Sequence, residues 1–125
     1  MSENEISYKI RGAIFTVYNT LGPGLLESIY EIALYYQLNK DGLNTIKQVN
    51  QPVKYDNVEL DITFRLDLLV EDKVIVELKS VDELKSIHFK QLNTYLKLTN
   101  KKLGLLVNFN CTNILDNIHR VANKI

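Results

Sequence analysis

Asp67, Glu77 and Lys79 are the residues whose types and spacing point most directly to chemistry. They lie on two apolar runs, Ile62 to Val70 and Val74 to Leu78, joined by Glu71-Asp72-Lys73, a short polar connection suited to an antiparallel hairpin. A turn centred on Asp72 sets Asp67 directly opposite Glu77. Strand alternation then predicts Arg65, Asp67, Glu77 and Lys79 on one face and Leu66, Leu68, Val76 and Leu78 on the other. Like charges facing each other destabilise a sheet unless a cation lies between them. Two hard oxygen donors so placed suit Mg²⁺ or Mn²⁺, ions that keep several waters and bind through few carboxylates. Lys79 shares the face and can reach a water held by such an ion. The bland alternative is a salt-bridge ladder, Arg65 to Asp67 and Glu77 to Lys79, whose pairs would each contribute only ~0.2–1 kcal/mol.

Two further groups of polar residues stand out. His88, Gln91 and Tyr95 are spaced to share one stripe of a helix that follows directly after Lys79, so the stripe is expected to face the same site. The competing reading is a surface histidine and a tyrosine packed in the core. Glu27 follows Gly22-Pro23-Gly24 and sits among Leu26 and Ile29. A carboxylate near a helix start is favoured by the helix dipole, so capping competes with a role in the site. Cys111 has no serine- or cysteine-hydrolase spacing around it and reads as a packed thiol.

Positioning these residues requires a specific order of elements. Ile6, Ile10, Ala13, Ile14, Val17, Tyr18 and Leu21 recur at three- and four-residue steps, which predicts an amphipathic helix that ends at Gly22-Pro23-Gly24. A second helix is expected from about Leu25 to Lys40, with Leu26, Ile29, Tyr30, Ala33 and Leu34 inward and Gly42 as its stop. Gln48 to Tyr55 reads as a strand whose Pro52 marks an edge or a bulge, and Asp56-Asn57 as a turn. After the hairpin come a helix, about Glu83 to Leu98, and a buried strand, Lys102 to Phe109. A final helix over Ile114 to Val121 completes the chain. The order helix, helix, strand, hairpin, helix, strand, helix implies an α/β fold with a mixed sheet and helices on both faces.

The 125 residues, 46% hydrophobic and 24% charged, fit one globular domain and exclude a disordered or low-complexity chain. Fifteen basic residues balance fifteen acidic ones, which argues against coating nucleic acid by bulk electrostatics. The charge is uneven, however. Residues 1–62 hold five basic and eight acidic side chains, whereas 63–125 hold ten and seven, so a polyanion-facing surface is expected in the second half, with a solvated helix face as the alternative. No apolar run approaches a membrane span and the acidic start is unlike a signal peptide, so a cytoplasmic protein with no membrane partner is expected.

Asp67 followed by Glu77-Leu78-Lys79 on consecutive strands resembles the PD-(D/E)XK nuclease superfamily. Gly24-Leu25-Leu26-Glu27-Ser28-Ile29-Tyr30 is similar to the motif that names the GxxExxY protein family, and Leu21 to Glu31, Phe64 to Lys79 and Leu103 to Phe109 resemble that family throughout. The resemblance implies a restriction-endonuclease-like core: a central mixed four-stranded sheet in αβββαβ order with an extra N-terminal helix. It further implies an enzyme that hydrolyses phosphodiester bonds with Mg²⁺ or Mn²⁺. Asp67 and Glu77 become metal ligands, Lys79 the residue that orients the attacking water, and Glu27 an additional helix-borne acid of the metal site. Gln91-x-x-x-Tyr95 resembles a helix motif that supports the site and contacts nucleic acid, and Tyr30, His88 and Arg65 join the supporting residues. Leu66 stands where the name-giving motif has Pro. The expected partner is nucleic acid, DNA ahead of RNA, and a homodimer suits a domain with so little surface to grip a duplex. The competing reading is a module on the same fold that holds nucleic acid or protein without cutting. An acidic pocket rimmed by Lys and Arg favours the enzyme, and a large exposed apolar patch the module.

Overall fold

The computed structural model describes residues 1–124. Helix α1 (Glu3–Leu21) opens on a capping box between Ser2 and Glu5, and α2 (Glu27–Lys40) follows the Gly-Pro-Gly turn. The strands are β1 (Thr45–Tyr55), β2 (Val58–Val70), β3 (Val74–Lys79), β4 (Leu103–Asn108) and β5 (Ile118–Ala122). Helix α3 (Ser86–Thr99) links β3 to β4, and a 3₁₀ turn, Ile114–Asn117, precedes β5. The sheet order is β1-β2-β3-β4-β5; β3 and β4 run parallel and every other neighbouring pair is antiparallel.

Two apolar clusters sandwich the sheet. Ile6, Ile10 and Ile14 of α1 and Tyr30, Leu34 and Leu38 of α2 bury one face with Leu68, Val70, Val76 and Leu78. Leu92 and Leu96 of α3 bury the other with Leu66, Leu69, Ile75 and Leu106. Helix α3 sits so close to β4 that a Cβ on Gly104 would meet Leu92 Cδ1 at 2.8 Å. Mixed strand directions with helices on both faces are thus as the sequence predicts. Four details differ.

The sheet has five strands rather than four, because the segment expected as a final helix forms the 3₁₀ turn and then β5. Ile114, Ile118 and Val121 fall at helical steps, but β4 would otherwise leave an unpaired edge. Ile118 and Val121 instead pack on opposite faces while the backbone pairs along β4. Leu26 and Ile29 are exposed, since α2 begins at Glu27 and turns Tyr30, Leu34 and Leu38 inward. Leu66 packs with Leu69 and Ile75 on the α3 side, not with Leu68, so the predicted alternation breaks at Asp67.

The fourth difference is length. β2 pairs with β3 only over Leu68–Val70, while its ladder with β1 continues to Tyr55↔Val58 at the Asp56-Asn57 turn. β1 and β2 therefore project beyond the sheet as a two-stranded arm, bulged between Pro52 and Val53, with Tyr55, Val58, Leu60 and Ile62 exposed. Elsewhere, Val17, Leu21, Ile32 and Tyr36 line an apolar groove of about 330 Å³ between α1 and α2.

Candidate functional site

The hairpin β2–β3 opens into a fork one residue past Leu68↔Val76. There, ladder hydrogen bonds are replaced by two reciprocal side-chain bonds: Asp67 N–H donates to Glu77 Oε2 at 2.8 Å, and Leu78 N–H donates to Asp67 Oδ2 at 2.9 Å. Each carboxylate thus satisfies a backbone donor left free by the splayed strands, which offsets the cost of burying acids here. Glu77 is only 4% exposed. Burial, followed by the charge of Asp67, pushes its carboxyl up to about 8. Burial also raises Asp67, against the opposing effects of the Leu78 N–H and of Lys79. The repulsion expected between the acids is present, but desolvation is the larger cause.

The salt-bridge ladder does not form. Among the described residues the one ion pair is Lys101–Asp72 at 3.0 Å, at the β2–β3 turn and not at the fork. Lys79 and Arg65 act on the acids at longer range: Lys79 lowers Asp67, Glu77 and Glu27, and Arg65 lowers Asp67. Arg65 is exposed, Lys79 half-buried.

Helix α2 brings its own acids to the fork. Glu27 is its first residue and is solvent-exposed; partial desolvation raises its carboxyl, with Asp67 adding to the rise and Lys79 opposing it. Tyr30 holds this helix start in place. Its hydroxyl donates to Gly22 O at 2.5 Å and accepts from Leu25 N–H at 3.1 Å, while its ring stacks on Phe109 at 4.4 Å. Ser80 Oγ donates to Leu25 O at 2.6 Å, tying the turn to the end of β3. Gly24, at φ 93°, adopts a backbone conformation that other residues resist. Tyr30 is fully buried, so its part is to fix the turn.

Two residues escape a reading of the sequence. Glu31 lies one helical turn after Glu27, accepts from Gln48 Nε2 at 2.6 Å, and has a carboxyl raised by burial and then by Asp67. Its spacing to Glu27, four residues, is the available signal. Gln48 carries no signal at all.

Helix α3 contributes unevenly. Tyr95 stacks on Phe64 at 4.7 Å, and its hydroxyl is raised by burial and then by the charges of Glu77 and Asp67. Gln91 is exposed, with no contact to the acids among the described hydrogen bonds. His88 caps the helix start, its Nδ1 accepting from Lys85 N–H at 3.0 Å. It also lines a cleft of about 610 Å³ with Ser80, Val81, Asp82, Glu83 and Lys85, directly after Lys79 in the chain. Cys111 is half-buried, a thiol raised by burial.

Among the described residues no group of three or more His, Cys, Asp or Glu side chains is arranged to hold a metal ion; Asp67 and Glu77 each give one oxygen to a backbone N–H and keep the other. The donor chemistry still fits a hard divalent cation. Asp67 raises Glu27, Glu31 and Glu77, and Glu27 raises Glu31 and Glu77, so the four carboxylates lie within range of one another's charge, opposed by Lys79, Arg65 and Lys47 without a contact ion pair.

A family model described as the PD-(D/E)XK nuclease superfamily matches residues 4–121. The chain belongs to that superfamily. No curated protein matches it. Among solved structures, the crystal structure of SSO0001 is similar, with a TM-score of 0.60 at 23% identity, over 79% of this chain and 51% of that one. The likeness supports a restriction-endonuclease-like fold, and the chain spans about half the length of that protein. No helix among the described residues is long and apolar enough to cross a membrane.

Proposed function

We propose that the chain is a metal-dependent nuclease of the GxxExxY family, folded as a single domain, that hydrolyses phosphodiester bonds of nucleic acid, DNA in the first place. The observation that carries this reading is the fork itself: a buried and a half-buried carboxylate, the buried one pushed up to about 8, without a contact ion pair and within charge range of two more acids on α2. Asp67, Glu77 and Glu27 are the residues that would hold Mg²⁺ or Mn²⁺. A bound ion would supply Lewis-acid polarisation of the phosphoryl group and stabilise its developing charge.

The chain's own residues do the rest. Glu77 would release to solvent the proton that burial makes it keep, and the two backbone N–H bonds hold both carboxylates in the fork. Lys79, close enough to lower all three acids, orients the attacking water and stabilises negative charge on the phosphate. Tyr95, Gln91 and Arg65 line the approach of the nucleic acid, and His88 sits at its border.

Cleavage of single- and double-stranded DNA and RNA, with Mg²⁺ or Mn²⁺, tests the reading. Wild type should cut at least one substrate. Lys79→Ala and Glu77→Ala should each lower the rate by ~10²-fold or more while the fold survives, the size expected for removing a transition-state charge partner. Activity that survives both substitutions would point to a contaminant. A second reading, a binding module that does not cut, is favoured by the lack of a preformed three-ligand group among the described residues. Absence of cleavage and of metal binding by calorimetry, with nucleic acid still bound, would favour it over the nuclease.

A further inference from the structure

Six non-glycine residues with positive φ lie where chains turn or end: Asp56 and Asn57, Glu71 and Asp72, Asn100 at the cap of α3, and Lys124. Gln48 is different. Its φ of 52° falls inside strand β1, where a glutamine gains nothing from the left-handed region. Strain of this kind persists only where its surroundings hold it, and it gathers at functional sites.

Opposite Gln48 lies Asp67, between the pairs Lys47↔Leu68 and Val49↔Leu66. Both strands exchange faces at this level. Leu68 packs toward α1 and α2, and Lys47 lies over the Tyr35 ring of α2 at 5.0 Å, whereas Leu66 and Val49 pack toward α3. An unbroken ladder would stand Asp67 on one face of the sheet. The exchange instead leaves its carboxylate reaching across the fork to the Leu78 N–H. The same backbone twist delivers the Gln48 amide to Glu31, at 2.6 Å, and Glu31 is near enough to Asp67 for that carboxylate's charge to raise it. A kink needed for packing alone would be met by glycine, without strain and without an amide.

We infer that Gln48 is a positioning residue: its strained backbone and its amide grip on Glu31 together set the direction in which Asp67 presents its carboxylate. This rests on the metal-dependent reading above. Gln48 touches no substrate in this role and acts through Glu31 and Asp67.

The test uses the full chain and Gln48→Gly, which frees the backbone and deletes the amide, with Gln48→Asn, which tolerates the left-handed region and keeps a shorter amide. Gln48→Gly should weaken Mg²⁺ binding by about 10-fold or more, the effect of losing an outer partner of a ligand, while Tm stays within about 3 °C of wild type. It should lower kcat, leave KM for nucleic acid within about twofold, and displace the Leu78 amide resonance. Gln48→Asn should recover part of each change. In a Glu31→Gln background, Gln48→Gly should add little, because the two act together. Wild-type Mg²⁺ affinity, kcat and Leu78 resonance in Gln48→Gly would overturn the inference. If wild type itself neither binds Mg²⁺ nor cuts, the nuclease reading falls, and the Leu78 resonance decides the positioning role alone: displaced in Gln48→Gly, it stands; unmoved, it falls.

Discussion

A carboxylic acid that keeps its proton to about pH 8 makes the folded chain sensitive to pH in an unusual direction. Most acids are lowered by folding; Glu77 is raised from an ordinary value of 4.5. Below pH 4.5 both folded and unfolded chains hold the proton, and the burial costs nothing. Between 4.5 and 8 the unfolded chain releases it while the folded chain does not, so stability falls as pH rises through that window. Asp67, also raised, acts with the same sign. Metal-free protein should therefore lose on the order of a few kcal/mol between pH 5 and pH 8, because each tenfold difference in proton affinity between the two states is worth about 1.4 kcal/mol. Urea unfolding at several pH values measures it. Glu77→Gln, neutral throughout, should flatten the curve, and an equally steep curve in that variant would assign the effect to other groups. The facing of Asp67 and Glu77 was legible from the hairpin turn alone. What the sequence could not carry was the splaying that turns their cross-strand repulsion into two backbone hydrogen bonds, or the turned backbone of Gln48, a residue type with no preference for it.

Among the elements, the turn between α1 and α2 shows how a core residue serves a surface one. Tyr30 is buried, yet its hydroxyl joins Gly22 O and Leu25 N–H, and Glu27 opens the helix two residues after Leu25. Tyr30→Phe keeps the ring stacked on Phe109 and removes only the hydroxyl. Leaving a half-buried carbonyl and amide without their partner should cost about 1–3 kcal/mol in chemical denaturation. Metal affinity should drop as well, because Glu27 loses its fixed start. A variant with full metal affinity and reduced stability would confine Tyr30 to folding. The element order was readable because long helices and apolar strands repeat their period many times. The tail was not: Ile114, Ile118 and Val121 span too few residues to separate a helical step from a strand, and the open edge of β4 decides. The arm was equally hidden, since its length depends on where β3 stops pairing with β2.

Across the whole molecule the fork lies where the two helical layers meet the sheet. Glu27 and Glu31 reach it from α2 on one face, Tyr95 from α3 on the other, and Asp67 and Glu77 from the strands between them. Metal-free, the four acids repel one another, and each helical layer is held to the sheet mainly by its own apolar cluster. A divalent ion bound by the native state alone stabilises it by about 2.7 kcal/mol at a hundred times its dissociation constant. That gain should appear as a higher Tm, larger at pH 8 than at pH 5, because at the lower pH protons compete for Glu77. The location of the gain is the sharper test. Hydrogen exchange should slow together in the first turn of α2, in β3 around Leu78 and in α3 around Tyr95, since all three meet at the fork. Protection confined to the exposed acids of the β1–β2 arm, Glu59 and Asp61, with these three segments unchanged, would place the ion elsewhere and remove the fork from consideration as the metal site.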